Sequence, residues 1–297
     1  MNNKTEDFIR SRVVEFCGGH YEKLQLQRSG LGCINETWQA HGEGLEPLFI
    51  KVGAASAADM YEQEIKGLKL LEQAQRFRVP KAHFVAANDN VACLVMEFID
   101  LGPVRGGSEK AVGEALAELH SFTNDQFGLA EDNYIGRSPQ VNGFADNWWA
   151  FFCERRLTVQ MEMAKDNNMR DQLVDRIQRL IDTVPAAFGE HAPAASLLHG
   201  DLWSGNMSVD ENGKPAIYDP AVYYGDAETD IAMSKMFQSL GDRVYEVYHS
   251  HHPRREGMET RRNLYDLYHW LNHFNLFGVT YLGQVEQCVD AVLAETD

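Results

Sequence analysis

Between residues 197 and 219 the chain sets an aspartate, an asparagine and a second aspartate in an order that few backbones accommodate. The run Leu197-Leu198-His199-Gly200-Asp201-Leu202-Trp203-Ser204-Gly205-Asn206 gives Asp201 and Asn206 the spacing D-x-x-x-x-N. Two short apolar segments, Asn206 to Val209 and Pro215 to Tyr218, flank Asp210-Glu211-Asn212-Gly213. Asn-Gly between such runs predicts a hairpin, because both residues tolerate the positive φ that a tight turn requires. Closing that hairpin brings Asp219 back beside Asn206, which places two oxygen ligands together for a hard cation. Acidic and amide residues also decorate ordinary polar loops, so the remainder of the chain must decide between the two readings.

The same spacing occurs in the catalytic loop of protein-kinase-like phosphotransferases, where the Asp positions a hydroxyl and the Asn holds Mg²⁺. The N-terminal third supplies what such a loop would need. Residues 5 to 17 read as a helix, with Phe8, Ile9, Val13 and Phe16 at helical spacing. Tyr21 to Arg28 and Glu36 to His41 read as strands about the turn Ser29-Gly30-Leu31-Gly32-Cys33-Ile34-Asn35. Gly30 and Gly32 would let backbone N–H groups, Cys33 among them, approach an anion closely. A plain tight hairpin explains that turn equally well. In a third strand, Pro47 to Val52, Lys51 is flanked by apolar neighbours and calls for a counter-charge or a phosphate.

A helix from about Ala57 to Gln75 follows, with Ser56 and Asp59 resembling a capping box and Tyr61, Ile65, Leu68 and Leu71 forming its apolar stripe. Glu64 lies beside the stripe and can turn toward Lys51, with Glu62 as the competing partner. Val91 to Phe98 is a near-continuous apolar strand, covered on both faces. It runs into Ile99-Asp100-Leu101-Gly102-Pro103, the break between a lobe over residues 1–100 and another over 101–297. In this architecture Met96, Glu97, Phe98 and the linker behind them offer backbone to an adenine edge.

Beyond the break the pattern turns helical. Ser108 is a good N-cap for a helix ending near Phe122, and Met169 to Val184 is a second amphipathic stretch closed by Pro185. His120 reads as a satisfied core residue. The aromatics and amides of 136–152 suit either a sugar-binding wall or, preferably, a helix buried in the core. His249, His251 and His252 read as a solvated loop, and Arg254, Arg255, Arg261 and Arg262 as a solvated helix end. The expected fold class is α+β: a bilobal protein-kinase-like fold with a small β-rich N-lobe and a larger, mainly helical C-lobe.

A formal charge of −17 over 297 residues disfavours a phosphate-rich polymer, so no nucleic acid partner is expected. Five scattered cysteines without a C-x-x-C pair fit a reducing compartment. No apolar run reaches the roughly 18 residues of a membrane span. A cytoplasmic protein without a membrane partner is the expectation.

Three runs carry a resemblance to the fructosamine kinase (ketosamine-3-kinase) family: His199 to Asn206, Tyr218-Asp219-Pro220-Ala221, and Tyr224-Gly225-Asp226-Ala227-Glu228-Thr229-Asp230. Gly32-Cys33-Ile34, Phe49-Ile50-Lys51-Val52, Pro139-Gln140-Val141-Asn142 and Leu271-Asn272-His273-Phe274 extend it across nearly the whole chain. His-Gly-Asp with the distant Asn is shared with aminoglycoside and choline kinases; Leu-Trp-Ser-Gly-Asn joined to Asp-Pro-Ala is more specific.

The resemblance implies ATP- and Mg²⁺-dependent phosphorylation of the 3-hydroxyl of a ketosamine (a fructosamine or ribulosamine), after which the phosphate decomposes and releases the amine. In that reading Asp201 accepts the hydroxyl proton. Lys51, Glu64 and the Gly30–Cys33 turn serve the phosphates, and Asn206 and Asp219 hold the metal. Trp203 and Asn272 border the acceptor, and Asp230 braces the catalytic loop. Oxidation of Cys33 would block nucleotide binding or link two chains. An aminoglycoside- or choline-type kinase, or a catalytically silent ATP-binding protein, would share the fold.

Overall fold

In the computed structural model, which describes residues 3–18, 24–31, 36–238 and 240–296, the first hundred residues are built on an antiparallel sheet. Its strands are β1 (Gln25–Leu31), β2 (Glu36–His41), β3 (Leu48–Ala54), β4 (Ala82–Ala87) and β5 (Val91–Glu97), in the order β1-β2-β3-β5-β4. Alternation along β5 explains its apolar run. Cys93 and Val95 face Ile9 and Val13 of helix α1 (Asn3–Cys17), whereas Ala92, Leu94 and Met96 face Tyr61 and Ile65 of α2 (Ala58–Glu72). Both faces are therefore covered, and side chains of period 2 feed two separate cores.

The larger region is mainly helical. Its helices are α3 (Ser108–Ser121), α4 (Trp148–Phe152), α5 (Thr158–Asp166), α6 (Asp171–Phe188), α7 (Glu228–Met233), α8 (Asp242–His251), α9 (Met258–Phe277) and α10 (Leu282–Thr296). Short strands hold the functional loops against this bundle. In chain order they are β6 (Leu101–Gly102), β7 (Thr123–Asn124), β8 (Asn133–Ile135), β9 (Ser138–Gln140), β10 (Ala195–Leu198), β11 (Met207–Asp210), β12 (Pro215–Ile217) and β13 (Tyr223–Gly225). The hairpin expected from Asn212-Gly213 is β11–β12, paired Met207 to Ile217, with Gly213 at φ 77°. β10 lies between β13 and β7, so the catalytic stretch leaves a strand buried at all four positions. The fold class is α+β with two lobes, and no helix among the described residues is long and apolar enough to cross a membrane.

Several local expectations are corrected. The first strand begins at Gln25, and residues 21–23 lie outside the described part. The Ser56–Asp59 capping box does not form: a 3₁₀ turn, Ala55–Ala57, leads into α2 without a side-chain cap, and Asp59 instead accepts from the Tyr134 hydroxyl at 2.7 Å. Ser108 is the first helical residue of α3 and bonds back to Arg105, so it is no cap. Pro185 does not close α6, which continues to Phe188. A proline leaves the carbonyl four residues earlier without its amide donor; here the Ile181 carbonyl receives the Cys153 thiol at 3.8 Å.

His249 and His251 are not in a loop but in the last turn of α8. Nor is Arg261 solvated: it is 3% exposed and paired at two points, 2.8 Å each, with Glu228. The aromatic stretch follows the core reading, with Trp148, Trp149, Phe151 and Phe152 each 3% exposed or less.

Candidate functional site

The stretch from His199 to Asn206 is anchored through its backbone. His199 and Gly200 donate their amides to the two carboxylate oxygens of Asp230, at 2.7 and 2.9 Å. Burial alone would raise the Asp230 carboxyl, but the His120 hydrogen bond and charge, with the Gly200 amide, hold it below the usual range. Asp230 braces the loop as expected, while no side-chain cap on α7 is found. His120 is fully buried between Asp230 (3.3 Å) and the Tyr248 hydroxyl (2.9 Å), a satisfied core residue whose partner is the loop's anchor.

His199 accepts the Asp201 amide on Nδ1 at 3.3 Å and reaches the Tyr218 carbonyl through Nε2 at 3.0 Å. Burial lowers its pKa, so the imidazole is a neutral strut rather than a base. Gly200 lies at φ 82°, and a Cβ there would meet the Ala221 carbonyl oxygen at 2.0 Å. Only glycine fits where the two loops cross.

Asp201 is pushed up to about 7, chiefly by burial and next by the Asp219 charge, while a hydrogen bond from Asn206 opposes the shift. The Asn206 amide donates to the Asp201 carbonyl at 2.9 Å and to its carboxylate at 3.2 Å. Its NH₂ is thus committed to Asp201, which leaves the amide oxygen for a cation. Asp219 occupies the left-handed region at φ 59° and its side chain is 46% exposed. A carboxylate and an amide oxygen on adjoining loops suit a hard, oxygen-seeking divalent cation such as Mg²⁺.

Lys51 joins the lobes. Its ammonium lies 2.7 Å from Glu64 and 2.6 Å from Asp219. Burial alone would lower its pKa, but the two carboxylates outweigh that and hold it charged. Glu62 is exposed on α2, so the competition is settled in favour of Glu64.

At the strand end, the Glu97 amide donates to the Lys81 carbonyl at 2.9 Å and the Phe98 amide to Pro47 at 3.2 Å, while Met96 is buried in the ladder. The next amide, Ile99, carries no hydrogen bond among the described residues. It is the donor a base edge could use. The linker reading included this position, whereas the Met96, Glu97 and Phe98 named beside it lie at the strand end. Gly30 lies at a β-bulge in β1, opposite Thr37. Gly32 and Cys33 lie outside the described residues, and the redox-linked dimer proposed for Cys33 lies there with them.

Lys51, Glu64, Asp201, Asn206 and Asp219 line a cavity of about 830 Å³ that runs on to Trp203, Asn272 and the end of α9; residues 96–99 are not in its lining. Trp203 is half-buried and folds over Gly205, whose Cβ would strike the indole at 2.2 Å. Asn272 is 2% exposed and accepts from Gln160 at 3.4 Å. The β8–β9 hairpin contributes Asn133, Tyr134 and Gly136 to one wall; the sequence offered a sugar-binding wall only from residue 136 onward and favoured the core reading there. Asn133 donates to the Val222 carbonyl at 2.8 Å and Gln140 to the Ala221 carbonyl at 3.0 Å, which fixes the segment behind Asp219. Tyr134, Asp59 and the Lys66–Glu131 pair tie the same hairpin region to α2.

The Asp201 carboxylate, the Asn206 and Asp219 oxygens and the charged Lys51 share one cleft, an arrangement compatible with phosphoryl transfer. Comparison with known proteins agrees. The family model for fructosamine kinase matches residues 7–295. The chain is 37% identical over 288 residues to a protein named probable ketoamine kinase from Synechocystis, covering 96% of each. It is 36% identical to a chloroplastic protein-ribulosamine 3-kinase of Arabidopsis thaliana, covering 99% of this chain and 90% of that one. The solved structure of a candidate fructosamine-3-kinase from Haemophilus somnus superimposes with a TM-score of 0.86 at 26% identity, covering 96% of each chain. An ADP-bound aminoglycoside phosphotransferase shares the fold at a TM-score of 0.62 and 15% identity, over 96% of this chain and 99% of that one.

Proposed function

The chain belongs to the fructosamine kinase family, and from that premise we propose that it is an ATP-dependent ketosamine kinase acting on the sugar 3-hydroxyl. The observation that carries the reading is the family match over residues 7–295, joined to a cleft lined by Lys51, Glu64, Asp201, Asn206 and Asp219.

Lys51, steadied by Glu64, binds the α- and β-phosphates, and the Ile99 amide meets the base. Asn206 and Asp219 would hold Mg²⁺, which would supply positive charge to the transferring phosphoryl group. Asp201 orients the sugar hydroxyl and takes its proton as the oxygen attacks. The new bond joins the sugar oxygen to the γ-phosphorus, and the bond from that phosphorus to the β,γ-bridging oxygen breaks. ADP leaves, and the proton stays on Asp201 until it exchanges with solvent. Trp203 lays its indole against the C–H face of the sugar, and Asn272 offers the acceptor an amide. The ketosamine 3-phosphate then loses inorganic phosphate by elimination, and water hydrolyses the resulting imine to free the amine, which makes the enzyme a deglycation step. A reducing, cytoplasmic setting suits the scattered thiols.

ATP consumption with Mg²⁺ should be measured on a fructose-type ketosamine, a ribulosamine, an aminoglycoside and choline. Turnover of a ketosamine supports the reading. Turnover of the aminoglycoside or choline alone overturns the acceptor class.

A further inference from the structure

The outer half of the cavity is lined by aromatic rings that the transfer chemistry does not use. Trp203, beside Asp201, meets Phe237 edge-on with centroids 5.5 Å apart. Phe237 in turn contacts His273 at 5.0 Å, and His273 contacts Phe277 at 5.7 Å and Tyr281 at 5.2 Å. The rings form one continuous shelf leading outward from the reacting centre. Phe237 and Phe277 are each 40% exposed, although both have ring partners that could have drawn them into the core. Large apolar rings left open to a cavity mark a surface that something else covers.

The charge distribution is as informative as the rings. The charged side chains lining the cavity are Lys51, Glu64, Asp201 and Asp219, all at the phosphate-transfer end. Around the shelf the polar lining consists of Asn272, His273, Thr280 and the Tyr281 hydroxyl. Burial lowers the His273 pKa, and its Nδ1 bonds the His269 carbonyl at 2.8 Å, so the imidazole is a neutral ring there. Among the described residues no charged side chain lines that end, so neither a carboxylate nor a second ammonium would find an opposite charge there.

We propose that the Phe237–His273–Phe277–Tyr281 shelf is the subsite for the group carried by the ketosamine nitrogen, and that it selects uncharged alkyl or aryl substituents over those bearing a carboxylate or further cations. The proposal rests on the ketosamine kinase reading and deepens it. The sugar lies over Trp203, and the nitrogen substituent runs outward along the rings. A lysine side chain glycated on its terminal nitrogen presents a four-carbon stem and fits. An α-amino acid glycated on its α-nitrogen brings its carboxylate onto an apolar shelf without a partner, and that desolvation is unfavourable.

The test uses adducts of one ketose with methylamine, butylamine, benzylamine and glycine, with kcat/KM measured for the full chain and for Phe237→Ala and Phe277→Ser. The wild-type enzyme should prefer the butyl and benzyl adducts over the methyl adduct by about tenfold or more, and should turn over the glycine adduct least. In either variant the benzyl-to-methyl ratio should fall to about threefold or less, whatever the variant does to both adducts in common. Equal kcat/KM for methyl and benzyl adducts in wild type would overturn the subsite, as would variants that slow every adduct by one factor. Both leave the ketosamine reading standing. If no ketosamine is turned over while an aminoglycoside is, that reading itself fails and the subsite with it.

Discussion

The Lys51 ammonium lies 2.6 Å from the Asp219 carboxylate, a contact between residues 168 positions apart that ties the sheet lobe to the helical lobe through the reacting centre. With Glu64 on its other side, Lys51 is a buried cation shared by two anions. Removing Lys51 leaves Glu64, whose side chain is 11% exposed, without its counter-charge, whereas Asp219 is open to the cavity.

Lys51→Ala should therefore lower kcat/KM for ATP by about 100-fold or more, and Glu64→Gln by about tenfold, since the latter only loosens the lysine. Steady-state kinetics with ATP varied at fixed acceptor would check this. Equal kinetics for wild type and Lys51→Ala would remove the lysine from the phosphate site.

Gly200→Ala should be severely destabilising, by about 2–4 kcal/mol, because a Cβ at φ 82° would lie 2.0 Å from the Ala221 carbonyl oxygen and backbone cannot yield as a side chain can. Urea unfolding would measure it. A variant as stable as wild type would mean that the two loops part easily.

How much of this site the sequence disclosed depended on how local each determinant is. Asp201, Asn206 and Asp219 were legible because a hairpin of known turn chemistry brings them together. Lys51 was legible as a buried charge, but choosing Glu64 over Glu62 required the phase of α2, which the structure supplies through buried Tyr61 and Ile65. The links from Asn133 to Val222 and from Tyr134 to Asp59 span 89 and 75 positions, and no short pattern announces them. Arg261 was misread because its neighbours Arg254, Arg255 and Arg262 share its chemistry, and only the packing of α7 on α9 separates it from them. Pro185 was read as a stop because the Cys153 thiol that tolerates it comes from another helix.

Asp230→Ala should cost about 2–4 kcal/mol of stability and most of the activity, since it strands the amides of His199 and Gly200 in the interior. Asp230→Asn keeps one acceptor oxygen and should recover part of both. Paired chemical denaturation and kcat would show it, and equal losses in the two variants would contradict the bracing role.

Asp266 is raised to about 7, chiefly by burial against the opposing pull of Arg262, and one of its carboxylate oxygens has no partner. Its unfolded value lies near 3.8. Between those values the folded chain holds a proton that the unfolded chain has lost, so this group's stabilising contribution fades as the pH rises toward 7. Asp266→Asn removes that dependence. Its stability relative to wild type should rise by about 2–3 kcal/mol between pH 5 and pH 8. Thermal or urea unfolding at both pH values would test it. A flat difference would place the Asp266 carboxylate in water.

Transfer to the sugar can be followed by ³¹P and ¹³C NMR of a ribulosamine incubated with ATP, Mg²⁺ and either the wild-type enzyme or Asp201→Asn. The wild type should form a phosphomonoester on the sugar O3, and Asp201→Asn should form it at least about 1,000-fold more slowly. Phosphate on another oxygen, or unchanged product formation with the variant, would contradict transfer to O3 with Asp201 as the base.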